Sequence, residues 1–203
     1  MGRRSDHTPD ELRDLLIACG HALMAERGFA KFSAREAARR AGYSVGTIYN
    51  VFGGLDAYLI AINSQTFRAW SEGLEAALAG STGDDDARII ALVRAYFAFA
   101  EANRNAWMAI YDHRIDRSQA IAKQDEAARE ALTGIVDREV TRWLGRGDAA
   151  DADATRRLVR SLIATVHGHC ALWLSGSYAL MREEDPAGQA LARVFEALSA
   201  HRG

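Results

Sequence analysis

Residues 33–52 read Ser33-Ala34-Arg35-Glu36-Ala37-Ala38-Arg39-Arg40-Ala41-Gly42-Tyr43-Ser44-Val45-Gly46-Thr47-Ile48-Tyr49-Asn50-Val51-Phe52. Ser33 followed three places later by Glu36 is a capping-box pattern that starts a helix. Gly42 can close that helix in the left-handed conformation. Ser44 is placed to cap a second helix, Val45 to Phe52, in which Ile48 and Phe52 face inward while Thr47, Tyr49 and Asn50 lie elsewhere on its surface. Ala37 and Ala38 are small enough for the helices to cross closely. Two short helices, a glycine turn, a close crossing and an apolar inner face together predict a helix-turn-helix whose second helix is free to enter a major groove.

Upstream, Thr8-Pro9-Asp10-Glu11 combines a capping box with proline at the first helical position. Leu12, Leu15, Leu16, Cys19 and Leu23 then recur at helical steps up to Gly28. Downstream, Leu55 to Leu78 predicts a long connector ending in Gly80-Ser81-Thr82-Gly83. Asp84, Asp85 and Asp86 sit where a helix N-terminus favours negative charge, and capping is preferred over a metal site. Further helices are expected at 106–113, from about Ser118 to Leu144, at about 152–175 and at about 187–200. The fold class is therefore all-α, with about nine helices. A three-helix DNA-binding domain is expected over 8–54 and a larger helical body over 55–203.

The 203 residues carry a net charge of −2, so nucleic-acid binding must come from a local basic surface rather than from the field of the whole molecule. Cys19 and Cys170 lie far apart in apolar stretches and are expected as small hydrophobes, with no zinc pattern. The first residues lack the apolar core of a signal peptide, and no apolar run approaches a membrane span, so a cytoplasmic protein is expected. No phosphate-binding glycine loop, H-E-x-x-H pattern or nucleophile elbow occurs. His167, His169 and Cys170 are neighbours in sequence, but at these steps they point to different sides of a helix. The expectation is a non-enzyme with no cofactor.

Gly28-Phe29, Ser33, Ala38, the run Ala41 to Phe52, Asp56 and Leu59 closely resemble the DNA-binding domain of TetR-family regulators, over about residues 8–62. That resemblance implies operator contacts by Ser44, Val45, Thr47, Tyr49 and Asn50, with Tyr49 and Ser33 donating to phosphates and Lys31 and Arg35 assisting. Thr47 suits a thymine edge, and Asn50 an adenine or the backbone. The family usually places a lysine two residues before the position of Asp56 or at the adjacent place after the Phe; here the stretch reads Phe52-Gly53-Gly54-Leu55-Asp56, which removes one electrostatic anchor.

The patches Ala95 to Ala100 with Ala106-Trp107-Met108, and Ile163 to Gly168, resemble a WHG-type C-terminal domain, with Ile163 where that motif has tryptophan. The resemblance implies a small, largely apolar ligand, with Tyr96, Phe99, Trp107, Met108, Tyr111, His167, Cys170 and Trp173 as candidate lining residues. It also implies a homodimer through the last two long helices, covering Leu162, Val166, Leu191, Val194 and Phe195. The implied function is a repressor bound to a palindromic operator and released by ligand, with corepression as the opposite sign of the same coupling.

Overall fold

The computed structural model describes residues 7–114, 121–145 and 152–201. Ten α-helices occur among them: α1 (Pro9–Arg27), α2 (Ala34–Arg40), α3 (Val45–Phe52), α4 (Leu55–Ala79), α5 (Asp85–Ala102), α6 (Arg104–Asp112), α7 (Lys123–Leu144), α8 (Ala152–Leu174), α9 (Ser177–Leu180) and α10 (Pro186–Ala200). The helix beyond the expected nine is the single turn α9, and a 3₁₀ turn, Phe29–Lys31, fills the link after α1. The expected start of α7 near Ser118 lies outside the described residues. Among the described residues, no single helix is long and apolar enough to cross a membrane.

The chain divides into two compact units, Met1–Ala69 with Asn103–Arg129, and Trp70–Ala102 with Glu130–Gly203. α4 passes from one to the other, and α6 belongs with the first three helices.

In the first unit α1 starts as its sequence dictates. Thr8 Oγ1 accepts from the Glu11 amide at 3.3 Å, and Glu11 Oε2 accepts from the Thr8 amide at 2.7 Å. α1 packs against α2, α3 and α6 around Leu16, Leu23, Met24, Ala38, Ile48 and Ile62, with Ala109 of α6 completing the core. Gly20 lets α4 approach: the Tyr58 hydroxyl crosses it to donate to the Leu16 carbonyl at 2.7 Å, and a Cβ at position 20 would collide with that hydroxyl.

In the second unit α5, α8 and α10 pack together, with α9 against α8. Asp84 Oδ1 accepts from the Ala87 amide at 3.0 Å and caps α5, as the acidic triplet suggested. Its neighbours tie down α7: Asp85 accepts from Arg142 at 2.7 Å and Asp86 from the Trp143 indole at 2.6 Å. Arg88 donates twice to buried Glu139, at 2.6 and 2.9 Å, and Arg138 bridges Glu139 to Glu75. At the other end, Asp185 Oδ1 caps α10 through the Gly188 amide at 2.9 Å, with Pro186 in the first turn.

Leu162, Val166 and Val194 correct one expectation. All three are buried within the chain itself, so they are not exposed apolar positions waiting for a partner. Leu191 and Phe195 are half-buried.

Gly20→Ala should destabilise the protein by about 1–3 kcal/mol through overpacking, and Tyr58→Phe by about 1 kcal/mol through the lost hydrogen bond. Because both act at one contact, the double variant should lose less than the sum of the two in urea unfolding. The Arg88 guanidinium, and secondarily Arg138, holds the Glu139 carboxyl below its ordinary value of 4.5. The stability this contributes is present above pH 4.5 and is lost as pH falls through the lowered value. Glu139→Gln should therefore cost roughly 2–3 kcal/mol at neutral pH. Its urea midpoint should also fall less steeply than that of the wild type below pH 4.5.

Candidate nucleic-acid interface and aromatic cluster

The turn between α2 and α3 is fixed by backbone geometry. Gly42 sits at φ +82°, its amide donates to the Arg39 carbonyl at 3.1 Å, and the Tyr43 amide donates to the Ala38 carbonyl at 2.9 Å. This is a Schellman ending, which satisfies the last carbonyls of α2 and redirects the chain. Nothing lies within 4 Å of a Cβ built on Gly42, so the backbone angle alone demands glycine there. α3 ends at Gly53, φ +78°, and meets α4 at a bend of 82°.

Ile48 is fully buried and orients α3 on the core. Phe52 is half-buried, its ring 4.8 Å from that of Tyr58 and capped by the Arg13 guanidinium at 4.7 Å. The rest of α3 keeps accessible surface: Tyr49 is 48% exposed, Asn50 and Ser44 are exposed, and Val45 and Thr47 are half-exposed. Lys31, Ser33 and Arg35 are exposed on the preceding segment, so the eight residues singled out from sequence all lie in one unit with accessible surface.

Two local readings change. Ser33 does cap α2, with its hydroxyl oxygen accepting from the Glu36 amide at 3.4 Å, but Glu36 does not return the bond. Its carboxylate is taken by Arg39, at 2.8 Å to each oxygen, and by Arg40 at 3.3 Å; these guanidiniums, Arg39 first, hold it down to about 2. Capping uses a lone pair of Ser33 and leaves its O–H able to donate. Ser44 makes no side-chain cap: its hydroxyl lies 3.4 Å from that of Thr47 instead.

Charge around the motif is unevenly committed. Arg39 is paired with Glu36, and Arg40 with Glu36 and with Glu26 at 2.7 Å. Among the described residues no ion pair is recorded for Lys31 or Arg35. Their positive charge, like that of Arg13 over Phe52, is not neutralised by an ion pair among the described residues.

Sequence reasoning missed the residues that fasten α6 into this unit. Asn105 Nδ2 donates to the Ala25 carbonyl at 2.9 Å and to that of Glu26 at 3.3 Å, at the C-terminal end of α1. Buried His113 places Nε2 3.2 Å from Asp56 Oδ1 in the first turn of α4, with the Phe29 ring 5.9 Å away. Asn103-Arg104-Asn105 reads locally only as a break in periodicity, so no short-range signal points to these bonds. Also missed was an open groove of about 450 Å³ on this unit, lined by Asp14, Ile17, Ala18, His21, Ala22, Gln65 and Arg68. The spacing of these positions on α1 and α4 was its only sequence trace.

The eight ligand candidates do not fall in one unit. Trp107, Met108 and Tyr111 belong to the first, where Trp107 is fully buried and Tyr111 is 44% exposed with its ring 5.0 Å from Trp107. Tyr96, Phe99, His167, Cys170 and Trp173 belong to the second. There the Tyr96 hydroxyl meets His167 Nδ1 at 3.1 Å, Phe99 stacks on Trp70 at 5.4 Å, and Phe97 lies 5.7 Å from Trp173. Cys170 is fully buried, and burial followed by the charge of Glu101 pushes its thiol up to about 12. It is a hydrophobe, not a nucleophile.

Two family models match the chain: bacterial regulatory proteins, tetR family, over residues 16–62, and tetracyclin repressor-like, C-terminal domain, over residues 89–198. The chain belongs to the TetR family. The TetR-family helix-turn-helix and helical body are thus both matched, and the protein is a TetR-family transcriptional regulator. The HTH-type transcriptional activator FasR of Mycolicibacterium smegmatis is 27% identical over 188 residues, 92% of this chain and 83% of that one. A solved protein of unknown function from Rhodococcus sp. RHA1 shares the fold at TM-score 0.71 and 24% identity, covering 98% of both chains. Thermus thermophilus FadR, a TetR-family repressor solved with lauroyl-CoA, superimposes at TM-score 0.64 and 19% identity over 93% of this chain and 94% of that one.

Gly42→Ala should cost about 1–2 kcal/mol, because alanine resists a left-handed backbone. Gly42→Asn, which tolerates that conformation better, should cost less. Urea midpoints of the two variants check the order.

Proposed function

We propose that this TetR-family regulator is a repressor that grips a palindromic operator as a homodimer and lets go when a small, largely apolar ligand binds. The observation that carries the reading is the two-sidedness of α3: Ile48 is wholly buried while Tyr49 and Asn50 project outward beside exposed Lys31, Ser33 and Arg35. α3 lies in the major groove, with Thr47 and Val45 against base edges and Asn50 on an adenine or the backbone. Tyr49, Ser33 and Ser44 donate hydroxyls to phosphates, and Lys31 and Arg35 supply charge where the lysine before Asp56 is missing. The functional division follows the chain as a DNA-binding head over 8–54 and a ligand-binding, dimerising body over 55–203.

One such helix reads only a half-site, so two-fold pairing is required for affinity and register. The last two long helices, α8 and α10, remain the proposed seam, but on a different face from the buried Leu162, Val166 and Val194. Ser161, Ala164, Thr165, Gly168 and Leu172 share one side of α8 that the other described residues do not fully cover, and the first four are small enough for two helix backbones to approach closely. A regulator of this kind acts in the cytoplasm, where its operator lies. FasR is named as an activator, so an operator placed to recruit polymerase rather than block it is the second reading.

Retardation of DNA from the chain's own upstream region, titrated against salt, tests the proposal. Lys31→Ala, which removes one phosphate contact from each protomer of the dimer, should flatten the slope of log affinity against log salt by about 1.8. Thr47→Ala should leave the slope unchanged but cost about 1–3 kcal/mol and relax preference at one base pair. Sedimentation should give a dimer at micromolar concentration and a monomer for Ala164→Arg. A wild-type monomer, or retardation without sequence preference, would overturn the reading.

A further inference from the structure

The open groove between α1 and α4 carries two opposite charges that do not meet. Asp14 stands on its α1 wall and Arg68 on its α4 wall, and both are exposed. Among the described residues neither makes an ion pair, with the other or with a third group; the polar contact of Arg68 is a donation to Gln65 Oε1 at 3.4 Å. Elsewhere in this chain arginines and carboxylates of different helices do join, as Arg88 with Glu139, Arg138 with Glu75 and Arg142 with Asp85. An acid and a base that line one groove without closing on each other leave a gap that a molecule bearing both charges can bridge. The groove's volume, about 450 Å³, lies within the range of small-molecule sites, about 300–1,000 Å³.

We propose that this groove is a second small-molecule site, on the unit that carries α3, for a short zwitterion of dipeptide size. Its ammonium meets Asp14, its carboxylate meets the Arg68 guanidinium, and an aliphatic body lies along Ile17 and Ala18. This site is independent of the ligand proposed above for the helical body. Asp14 and His21 lie two turns apart on α1, about 10 Å along its axis, and Ile17 and Ala18 between them are apolar. His21 adds no charge at neutral pH, because burial lowers its tendency to take a proton, and its Nε2 is held 3.2 Å from the Thr66 hydroxyl. The charged lining is therefore one negative and one positive group.

Molecules with a single charge fit that lining less well. A phosphate or a fatty carboxylate drawn to Arg68 meets Asp14 in the same groove, and an amine or metal cation drawn to Asp14 meets Arg68. Gln65 takes one N–H of Arg68 and leaves the others of the guanidinium fork for a carboxylate. A protein partner finds little apolar area to bury, because Ile17 is already covered and the exposed apolar lining is Ala18 and Ala22.

Isothermal titration calorimetry of the full chain at pH 7 and low salt tests this with four probes that share one body: alanyl-leucine, its N-acetyl form, its C-terminal amide, and the acetylated amide. They carry both charges, the carboxylate alone, the ammonium alone, and neither. Alanyl-leucine should bind about threefold or more tightly than either singly charged form, the worth of one partly screened ion pair. Asp14→Asn should bring alanyl-leucine to the level of its acetyl form and leave the acetyl form unchanged. Arg68→Gln should do the same with respect to the amide. Helical circular dichroism checks that both variants fold. Equal binding of the four probes, a preference for alanyl-leucine that survives in both variants, or no binding of any probe up to about 10 mM would overturn the proposal. So would a variant that changes the sedimenting species and leaves probe binding intact, which would make the groove a contact between copies of the chain. Operator retardation on the same preparation separates this site from the regulator reading: a protein that shifts its operator and binds none of the probes refutes the groove alone.

Discussion

A tyrosine hydroxyl that reaches a helix carbonyl across a glycine sets the geometry of the DNA-binding unit. Tyr58 of α4 donates to Leu16 of α1 at 2.7 Å, and the missing side chain of Gly20 is what allows the approach. The Tyr58 ring in turn meets Phe52 at 4.8 Å and Phe32 at 6.3 Å, so the end of the recognition helix and the segment leading into α2 are both packed on one side chain. The orientation of α3, and with it the outward display of Tyr49 and Asn50, is therefore a consequence of how closely α1 and α4 lie. A helix-turn-helix that stood on its turn alone would have only Gly42 to hold its angle.

Electrostatics at the same surface is selective. The chain is slightly acidic, and the arginines that look most basic in sequence, Arg39 and Arg40, are bound to Glu36 and Glu26. An exposed pair of this kind adds little stability, but it removes charge from the field a phosphate would feel. It also stiffens α2 through contacts three and four residues apart.

Local signals were legible in the sequence, and long-range ones were not. The Thr8 capping box, the Gly42 turn and the buried Ile48 each depend on residues within a few positions, and each stands as the pattern implies. The Ser33 box is only half formed because Arg39 and Arg40, one turn on, outbid a backbone amide for the Glu36 carboxylate. Ser44 fits the cap position by residue type but turns its hydroxyl to Thr47. Leu162, Val166 and Val194 look available on isolated helices, and only the packing of α5, α8 and α10 shows them to be core. The contact between His113 and Asp56 joins residues 57 positions apart, beyond any periodicity. The aromatic character shared by most of the candidate ligand residues does not distinguish a cluster around a polar pair from the buried Trp107 elsewhere.

α4 is the one described helix that supplies large buried aromatic side chains to both units. The helix is continuous from Leu55 to Ala79, contributing residues to one unit up to Ala69 and to the other from Trp70. Trp70 is the residue on which Phe99 stacks, and Tyr58, three turns earlier on the same helix, is the residue on which Phe52 rests. One helix thereby serves two cores: buried Tyr58 anchors the end of α3 in the first unit, and buried Trp70 anchors Phe99 in the second. A smaller apolar residue at either position would fill space on α4 without reaching the ring of a second helix.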